Sequence, residues 1–341
     1  MDLSQFHTVL FDWFKSNGRV LPWREKDNPK AQQKANSKPY GLTLRDHSLA
    51  TYFTNAWHRD PYRVVISELM LQQTQVDRVL PKFKSFLKKW PTVNDLARAK
   101  LSEIMIEWQG LGYNRRARFL HEMAKIVMKD HKGVFPTTEQ ELLTLPGIGL
   151  YTARAMLAFA YGKDVGVVDT NIQRIFARLM LGCEPNDKHA QTKEFVVMID
   201  SAVPKGKGDP WNQALMDFGA LVCTGRSPKC ETCVLQHMCK ANFDAKKVGK
   251  AFYVELLLHQ RKEKTFSTNS AKVKQPFHTT NRYFRGRIVD KLREGSTHMQ
   301  LLRDYLTKNH SLTDKVRFGN IIEQLMKDKL ITIRGSIVSL D

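Results

Sequence analysis

Four of the five cysteines fall close together, spaced Cys223-x6-Cys230-x2-Cys233-x5-Cys239. Four thiolates this near one another are unfavourable to bury unless a metal takes them. The loops between them are long enough for all four sulfurs to converge on one centre. Zinc and an iron–sulfur cluster both accept four thiolates, and the spacing alone leaves the two open. The pattern does not read as a secreted disulfide scaffold. The fifth cysteine, Cys183, has apolar neighbours and reads as an inert buried thiol.

Two carboxylates also stand where chemistry is possible. Asp169 follows the apolar run Val165 to Val168 and opens the helical pattern Thr170-Asn171-Ile172-Gln173-Arg174. An ordinary helix N-cap accounts for such an Asp as well. Glu68 lies on a helix predicted over Val64–Val79, beside an apolar face of Val65, Leu69, Val76 and Val79 and near Gln72 and Gln75. A solvated glutamate is the ordinary reading there. Upstream of Asp169, Pro146, Gly147 and Gly149 end a helix predicted over Glu139–Thr144. They form the turn Leu145-Pro146-Gly147-Ile148-Gly149. A second helix starts near Tyr151 and carries Ala153, Ala155, Ala158 and Ala160, small residues that allow close helix packing. The glycines leave backbone N–H groups uncovered at a helix N-terminus, which suits an anion. With nothing in the turn to read a base, the expected ligand is a nucleic-acid phosphate at Gly147 and Gly149.

The elements that must position these groups are helical. Amphipathic spacing predicts helices over 3–17, 82–89, 101–109, 114–118, 187–203 and 211–222. Short helices joined by short loops, with almost no strand signal before residue 330, predict an all-α bundle. Residues 25–58 are polar and rich in Lys and Gln, and read as an insertion to which no chemistry is assigned. His47 and His58 within it read as surface histidines. Residues 241–281 form a basic linker. Residues 282–341 predict three helices closed by two short strands about Arg334-Gly335, a winged-helix-like unit able to touch DNA, a protein or the main domain.

The net charge of +20 points to a polyanionic partner. Residues 240–341 hold 21 Lys or Arg against 10 Asp or Glu, so the C-terminal third is the more basic part per residue. There is no stretch of 18 apolar residues, which predicts no membrane span. The start, MDLSQFHTVLFDWF, does not read as a signal peptide. An intracellular protein, cytoplasmic or nucleoid-associated, is expected.

The order hairpin, small-residue helix, Val-Val-Asp-Thr-Asn resembles the helix-hairpin-helix DNA glycosylase superfamily. The 6-2-5 cysteine spacing directly after WNQALMDFGALV resembles the 4Fe–4S loop of endonuclease III and its relatives. That resemblance decides for a 4Fe–4S cluster on Cys223, Cys230, Cys233 and Cys239, with a structural role. The loop carries Arg226 and Lys229 for the DNA backbone. Within the superfamily the chain is most similar to MutY-type adenine DNA glycosylases, over about residues 5–24 and 60–240. The similarity is carried by Leu21-Pro22-Trp23-Arg24, Pro61-Tyr62-Arg63 and, above all, the run Ser67-Glu68-Leu69-Met70-Leu71-Gln72-Gln73-Thr74-Gln75-Val76.

The resemblance implies that Glu68 is the general acid and base, its pKa raised by partial desolvation so that it can protonate adenine at N7. Asp169, kept ionised, stabilises an oxocarbenium-like sugar, with Asn171 supporting it. Tyr151 stands where endonuclease III-like enzymes carry a nucleophilic Lys. It cannot form a Schiff base, so a monofunctional enzyme that leaves an abasic site is expected. Leu71, Gln73 and Tyr113 would fill the space left by the flipped base, and Trp23, Arg24 and Gln213 would contact adenine. The expected partner is double-stranded DNA with adenine opposite guanine or 8-oxoguanine, met by a monomer.

Two departures from the family pattern stand out. Asp169-Thr170-Asn171 replaces the usual Asp-Gly-Asn, and residues 245–341 do not resemble the Nudix-like domain that usually follows. The rival readings are a G/T or G/U mismatch thymine/uracil glycosylase and a non-enzymatic iron–sulfur DNA-binding regulator. Residues 1–240 are expected to be the glycosylase domain.

Overall fold

The structure, a computed structural model, describes residues 2–24, 59–182, 184, 193–241 and 276–341. The insertion at 25–58, with His47 and His58, lies outside the described residues. So do Cys183, the first part of the helix predicted over 187–203, and most of the linker at 241–281.

In chain order the helices are α1 (Leu3–Asn17), α2 (Pro61–Leu71), α3 (Val76–Lys89), α4 (Val93–Arg98), α5 (Leu101–Glu107) and α6 (Arg115–Asp130). There follow α7 (Glu139–Leu142), α8 (Leu150–Phe159), α9 (Thr170–Phe176), α10 (Lys193–Ser201) and α11 (Gly208–Leu221). The C-terminal residues add α12 (Asn281–Leu292), β1 (Thr297–His298), α13 (Met299–His310), α14 (Lys315–Lys327), β2 (Ile331–Arg334) and β3 (Ile337–Leu340).

The chain divides into two compact units. The first comprises Met1–Val65, Thr137–Leu143 and Ile148–Thr268. In it, α1 is capped by Asp2, whose carboxylate accepts from Ser4 N at 2.8 Å, and buries Phe6, Leu10 and Phe14. Phe6 meets Trp211 of α11 edge-on at 4.9 Å. The alanines of α8 are all buried, and that small-residue helix packs on α11.

The second unit comprises Ile66–Pro136, Thr144–Gly147 and Asn269–Asp341. The C-terminal helices and strands therefore belong to the same compact body as α3 to α6. Three helices and the antiparallel sheet β1-β3-β2 form the expected winged-helix-like arrangement, with Ile333 opposite Val338 and Gly335 at φ +60° in the turn. β1, Thr297 opposite Val338, is an element the alternation pattern did not reveal. Arg293 at the end of α12 donates to Met105 O at 2.9 Å and to Asn114 Oδ1 at 3.1 Å, tying this arrangement to α5 and to the start of α6.

The single helix expected over 64–79 is two helices. α2 stops at Leu71, and α3 runs from Val76 straight through Pro81. The physical cause lies more than forty residues away. The Arg116 guanidinium takes the carbonyls of Leu69, Met70 and Gln72 at 2.6, 3.0 and 2.6 Å. A helix end needs partners for its last carbonyls, and Arg116 supplies them. The short helix α4 was also not anticipated, although its capping box is in the sequence: Thr92 and Asp95 each accept from the other's backbone N–H.

Candidate active site

Asp169 belongs to the first unit, and the segment before it is clamped on both edges. Asn212 of α11 accepts from Val167 N at 2.7 Å and donates to Val165 O at 2.9 Å. Arg154 of α8 donates to Gly166 O at 2.7 Å and pairs with Asp200, which also accepts from Gly166 N. A Cβ at Gly166 would lie 2.3 Å from the Ile199 side chain, so α10 approaches only because this residue is glycine.

Asp169 is indeed the N-cap of α9: its Oδ1 accepts from Ile172 N at 2.6 Å. Its second oxygen accepts from Asn171 Nδ2 at 2.9 Å. Arg174 donates to Asn171 Oδ1 at 2.7 Å, to Gly219 O at 2.8 Å and, through Nε, to Cys223 O at 2.9 Å. Burial pushes the Asp169 carboxyl above the usual carboxylate range, against the pull of Ile172 N–H, Asn171 and Arg174. The arrangement is a carboxylate held in one orientation by two donors and backed by a guanidinium. It is suited to stabilising a developing positive charge.

The first unit also holds Trp23, Arg24, Tyr151, Gln213 and Gly149. Trp23 and Arg24 lie on the turn Pro22–Arg24, and both are buried. Arg24 grips Asp217 with two 2.8 Å bonds, and Arg19 adds a third cation contact at 2.7 Å. Burial works against the Asp217 charge, but Arg24 and Arg19 hold its carboxyl below the usual range. Asp217 lies one helical turn beyond Gln213 on α11, so the Arg24 ion pair brings the Trp23–Arg24 turn to the Gln213 face. Gln213 is 3% exposed, which is not a solvated helix residue. Sequence reasoning passed over Asp217; the signal was a lone carboxylate on the apolar face of α11. Tyr151 is the second residue of α8. Gly149 is that helix's N-cap, with no side-chain cap and open space around it, as an anion site needs.

Glu68, Leu71, Gln73, Tyr113 and Gly147 belong to the second unit. Glu68, on α2, is 6% exposed, so the solvated reading fails. Gln73 and Tyr113 each occupy the left-handed region, at φ +54° and +46°. Such strain in non-glycine residues persists only where the surroundings impose it. Arg116 is what imposes it. Besides the three carbonyls of the Gln73 turn, it donates to Leu111 O and Gly112 O of the Tyr113 turn at 2.9 and 3.0 Å. One buried cation thus fixes both turn tips, and burial lowers its pKa to about 10. The sequence places it in the basic run Asn114 to Arg118, where nothing local marks it as buried. Gly147 has φ +79°, and a Cβ there would meet Phe119 Cβ at 2.8 Å.

Cys223, Cys230, Cys233 and Cys239 line one cavity, together with Arg178. Arg178 is 2% exposed. It donates toward Cys223 Sγ at 3.5 Å and to Thr224 O at 2.8 Å, and accepts from Cys239 Sγ at 3.7 Å through its carbonyl. Burial and the neighbouring sulfurs push the Cys230 thiol up, and the Cys233 thiol is pushed up to about 11. Four sulfurs that line one cavity, and whose charges raise the pKa of Cys230 and Cys233, suit a centre that supplies the compensating positive charge. These four residues would hold the cluster. When bound, it staples the loop on which Arg226 and Lys229 are both exposed.

The model of the HhH-GPD superfamily base excision DNA repair protein matches residues 66–198, and that of the iron-sulfur binding domain of endonuclease III matches residues 223–239. Hairpin, capped aspartate and thiol-lined loop therefore define a DNA glycosylase of base excision repair with a 4Fe–4S cluster. Adenine DNA glycosylase of Mycolicibacterium smegmatis is 37% identical over 291 residues, 84% of this chain and 80% of that protein. Its counterpart from Mycobacterium tuberculosis is 31% identical over 325 residues, 95% and 90% of the two chains. A solved thermostable thymine-DNA glycosylase superposes with a TM-score of 0.56 and 28% identity, covering 70% of this chain and 96% of that one. The chain belongs to the adenine DNA glycosylase family.

Proposed function

We propose that the protein excises adenine opposite guanine or 8-oxoguanine in duplex DNA, as a monomer acting inside the cell. Its reaction class is hydrolysis of an N-glycosidic bond. Glu68 delivers a proton to N7 of the flipped adenine, which weakens the bond from N9 to the sugar. As that bond breaks, positive charge grows on the sugar, and Asp169 stabilises it. Water then adds at the anomeric carbon and gives its proton to Glu68, leaving free adenine and an abasic site. Asn171 positions Asp169. Tyr151 holds no amine for a Schiff base, so the sugar–phosphate chain stays intact.

Trp23, Arg24 and Gln213 form the adenine-contacting wall, and Leu71, Gln73 and Tyr113 occupy the space the base leaves. Gly147 and Gly149 present backbone N–H groups to a phosphate. Residues 1–240 carry the glycosylase chemistry, and 282–341, which follow the basic linker, pack in the same compact body as α3 to α6.

The observation that carries this reading is the Asp169 carboxylate, fixed by Ile172 N–H and Asn171 and backed by Arg174. The test is single-turnover excision on duplexes with A opposite G, A opposite 8-oxoguanine, A opposite C, T opposite G and U opposite G, with and without alkali. Alkali-dependent scission at adenine is expected. Scission at T or U alone would move the same site to pyrimidine excision.

A further inference from the structure

The second unit contains a cleft of about 750 Å³ that the bond-breaking step itself does not use, although Gln73 and Tyr113 line its edge. One wall is made by the strained turns carrying Gln73 and Tyr113, the other by α12 of the C-terminal arrangement with the preceding Phe277. Seven arginines line it against one carboxylate, Asp290. Asp290 is already shared by Arg287, at 2.5 Å, and Arg293. Asp328, close by, is shared by Arg285 and Arg115. Arg78 and Arg282 are exposed and make no ion pair among the described residues. The cleft is therefore strongly cationic, with charge left uncompensated.

Its apolar surface is aromatic. The Arg282 guanidinium stacks 4.0 Å from the Tyr113 ring and 5.8 Å from Phe277. Tyr113 is 37% exposed and Phe277 61%. Exposed rings interleaved with free cations are the surface that binds a nucleic-acid strand, with bases on the rings and phosphates on the arginines. Gly286 adds an independent observation. It sits in mid-helix on α12, where glycine weakens a helix, yet a Cβ there would meet nothing within 4 Å. Packing does not require this glycine. It leaves the cleft wall bare one turn from Arg282.

We propose that this cleft is a second DNA-strand subsite, with phosphodiesters on Arg78, Arg282 and Arg287 and an unstacked base against Tyr113 and Phe277. The C-terminal arrangement is then part of the DNA grip. The proposal rests on the DNA glycosylase reading for its ligand, but not on which base is excised.

The test is fluorescence anisotropy of the full-length, cluster-loaded protein with two labelled duplexes. One is fully paired, and the other has a stable abasic analogue opposite guanine, which leaves one base unpaired. Binding is measured across a KCl series. Arg78→Gln and Arg282→Gln should each weaken binding severalfold and reduce the log–log salt slope by about 0.9. Gly286→Leu should erase most of the preference for the abasic duplex, with its melting temperature monitored to show that the fold is kept. Unchanged affinity and slope in both arginine variants would overturn the subsite. So would competition by polyglutamate as effective as by unlabelled duplex. Glu68→Gln separates the two readings: it should abolish excision and keep the wild-type slope. A protein that excises nothing but shows the arginine effects would keep the subsite and lose the adenine reading.

Discussion

Arg174 donates a 2.7 Å hydrogen bond to the side-chain oxygen of Asn171, while its Nε holds the backbone carbonyl of Cys223 at 2.9 Å. Because Asn171 in turn donates to Asp169, a continuous set of hydrogen bonds joins the carboxylate to the first residue of the cysteine loop. Replacing Arg174 by Ala removes a charge-assisted bond from behind Asp169. Hydrogen bonds to charged groups are worth about 1.5–3 kcal/mol, so single-turnover excision should slow by about 10- to 100-fold. Lys at this position reaches as a single point charge and should restore part of the rate. A rate equal to wild type in Arg174→Ala would show that Asn171 orients Asp169 unaided.

Burial disfavours the charged form of Asp169 by more than Ile172 N–H, Asn171 and Arg174 favour it, and this has a sign. Its folded-state pKa lies above the unfolded value. The native state therefore binds the proton more tightly, and stability falls as pH rises from the unfolded pKa through the folded one. Above that window the full penalty is present. Asp169→Asn, which can still cap α9, should melt at a higher temperature than wild type at neutral pH, with the gain vanishing near about pH 4. The same variant should be inactive. Wild-type excision should decline on acidification at a pH above the ordinary carboxylate range, as Asp169 takes up its proton.

Asp217 shows the opposite sign. Its folded pKa is depressed by Arg24 and Arg19, so its contribution is present above the unfolded pKa and is lost as pH falls through the folded one. Removing one partner of this buried pair leaves an uncompensated charge. Asp217→Asn should cost about 3–5 kcal/mol, measured by urea unfolding at neutral pH. The deficit should shrink as the comparison moves to acid.

Gly147 combines a left-handed backbone with a side chain–free approach to Phe119. Gly147→Ala should destabilise by more than the ordinary ~1 kcal/mol of a glycine replacement and weaken binding to any duplex, whatever its mispair. Gly149→Ala, at an open extended position, should leave the melting temperature nearly unchanged. Equal melting curves for the two variants would contradict the geometry.

The cysteine loop makes a spectroscopic prediction. Cys233→Ser should lose the visible iron–sulfur absorption and expose the loop to protease, with α8 and α9 still folded. Arg178→Ala should keep all four ligands but lose cluster on exposure to chelator faster than wild type, because the guanidinium is the loop's internal clasp.

Much of this was legible locally. The helices α1, α8 and α11, the hairpin turn, the N-cap of α9 and the cysteine spacing are all set by residues within a turn or two of each other. Helix propensity, caps and glycine turns act over that range. The sequence alone determined which residues could carry acid, anion and cluster chemistry, because residue type and short spacing suffice for that. Tertiary structure alone decided that 64–79 breaks at Gln72–Gln75, because the cation that ends α2 is Arg116. It also decided that Arg24 is anchored to Asp217 across the chain, and that α12 shares a cleft with Tyr113. The first two outcomes depend on buried charges finding partners far away in sequence. The desolvation of an unpaired charge, rather than any local preference, selects the partner.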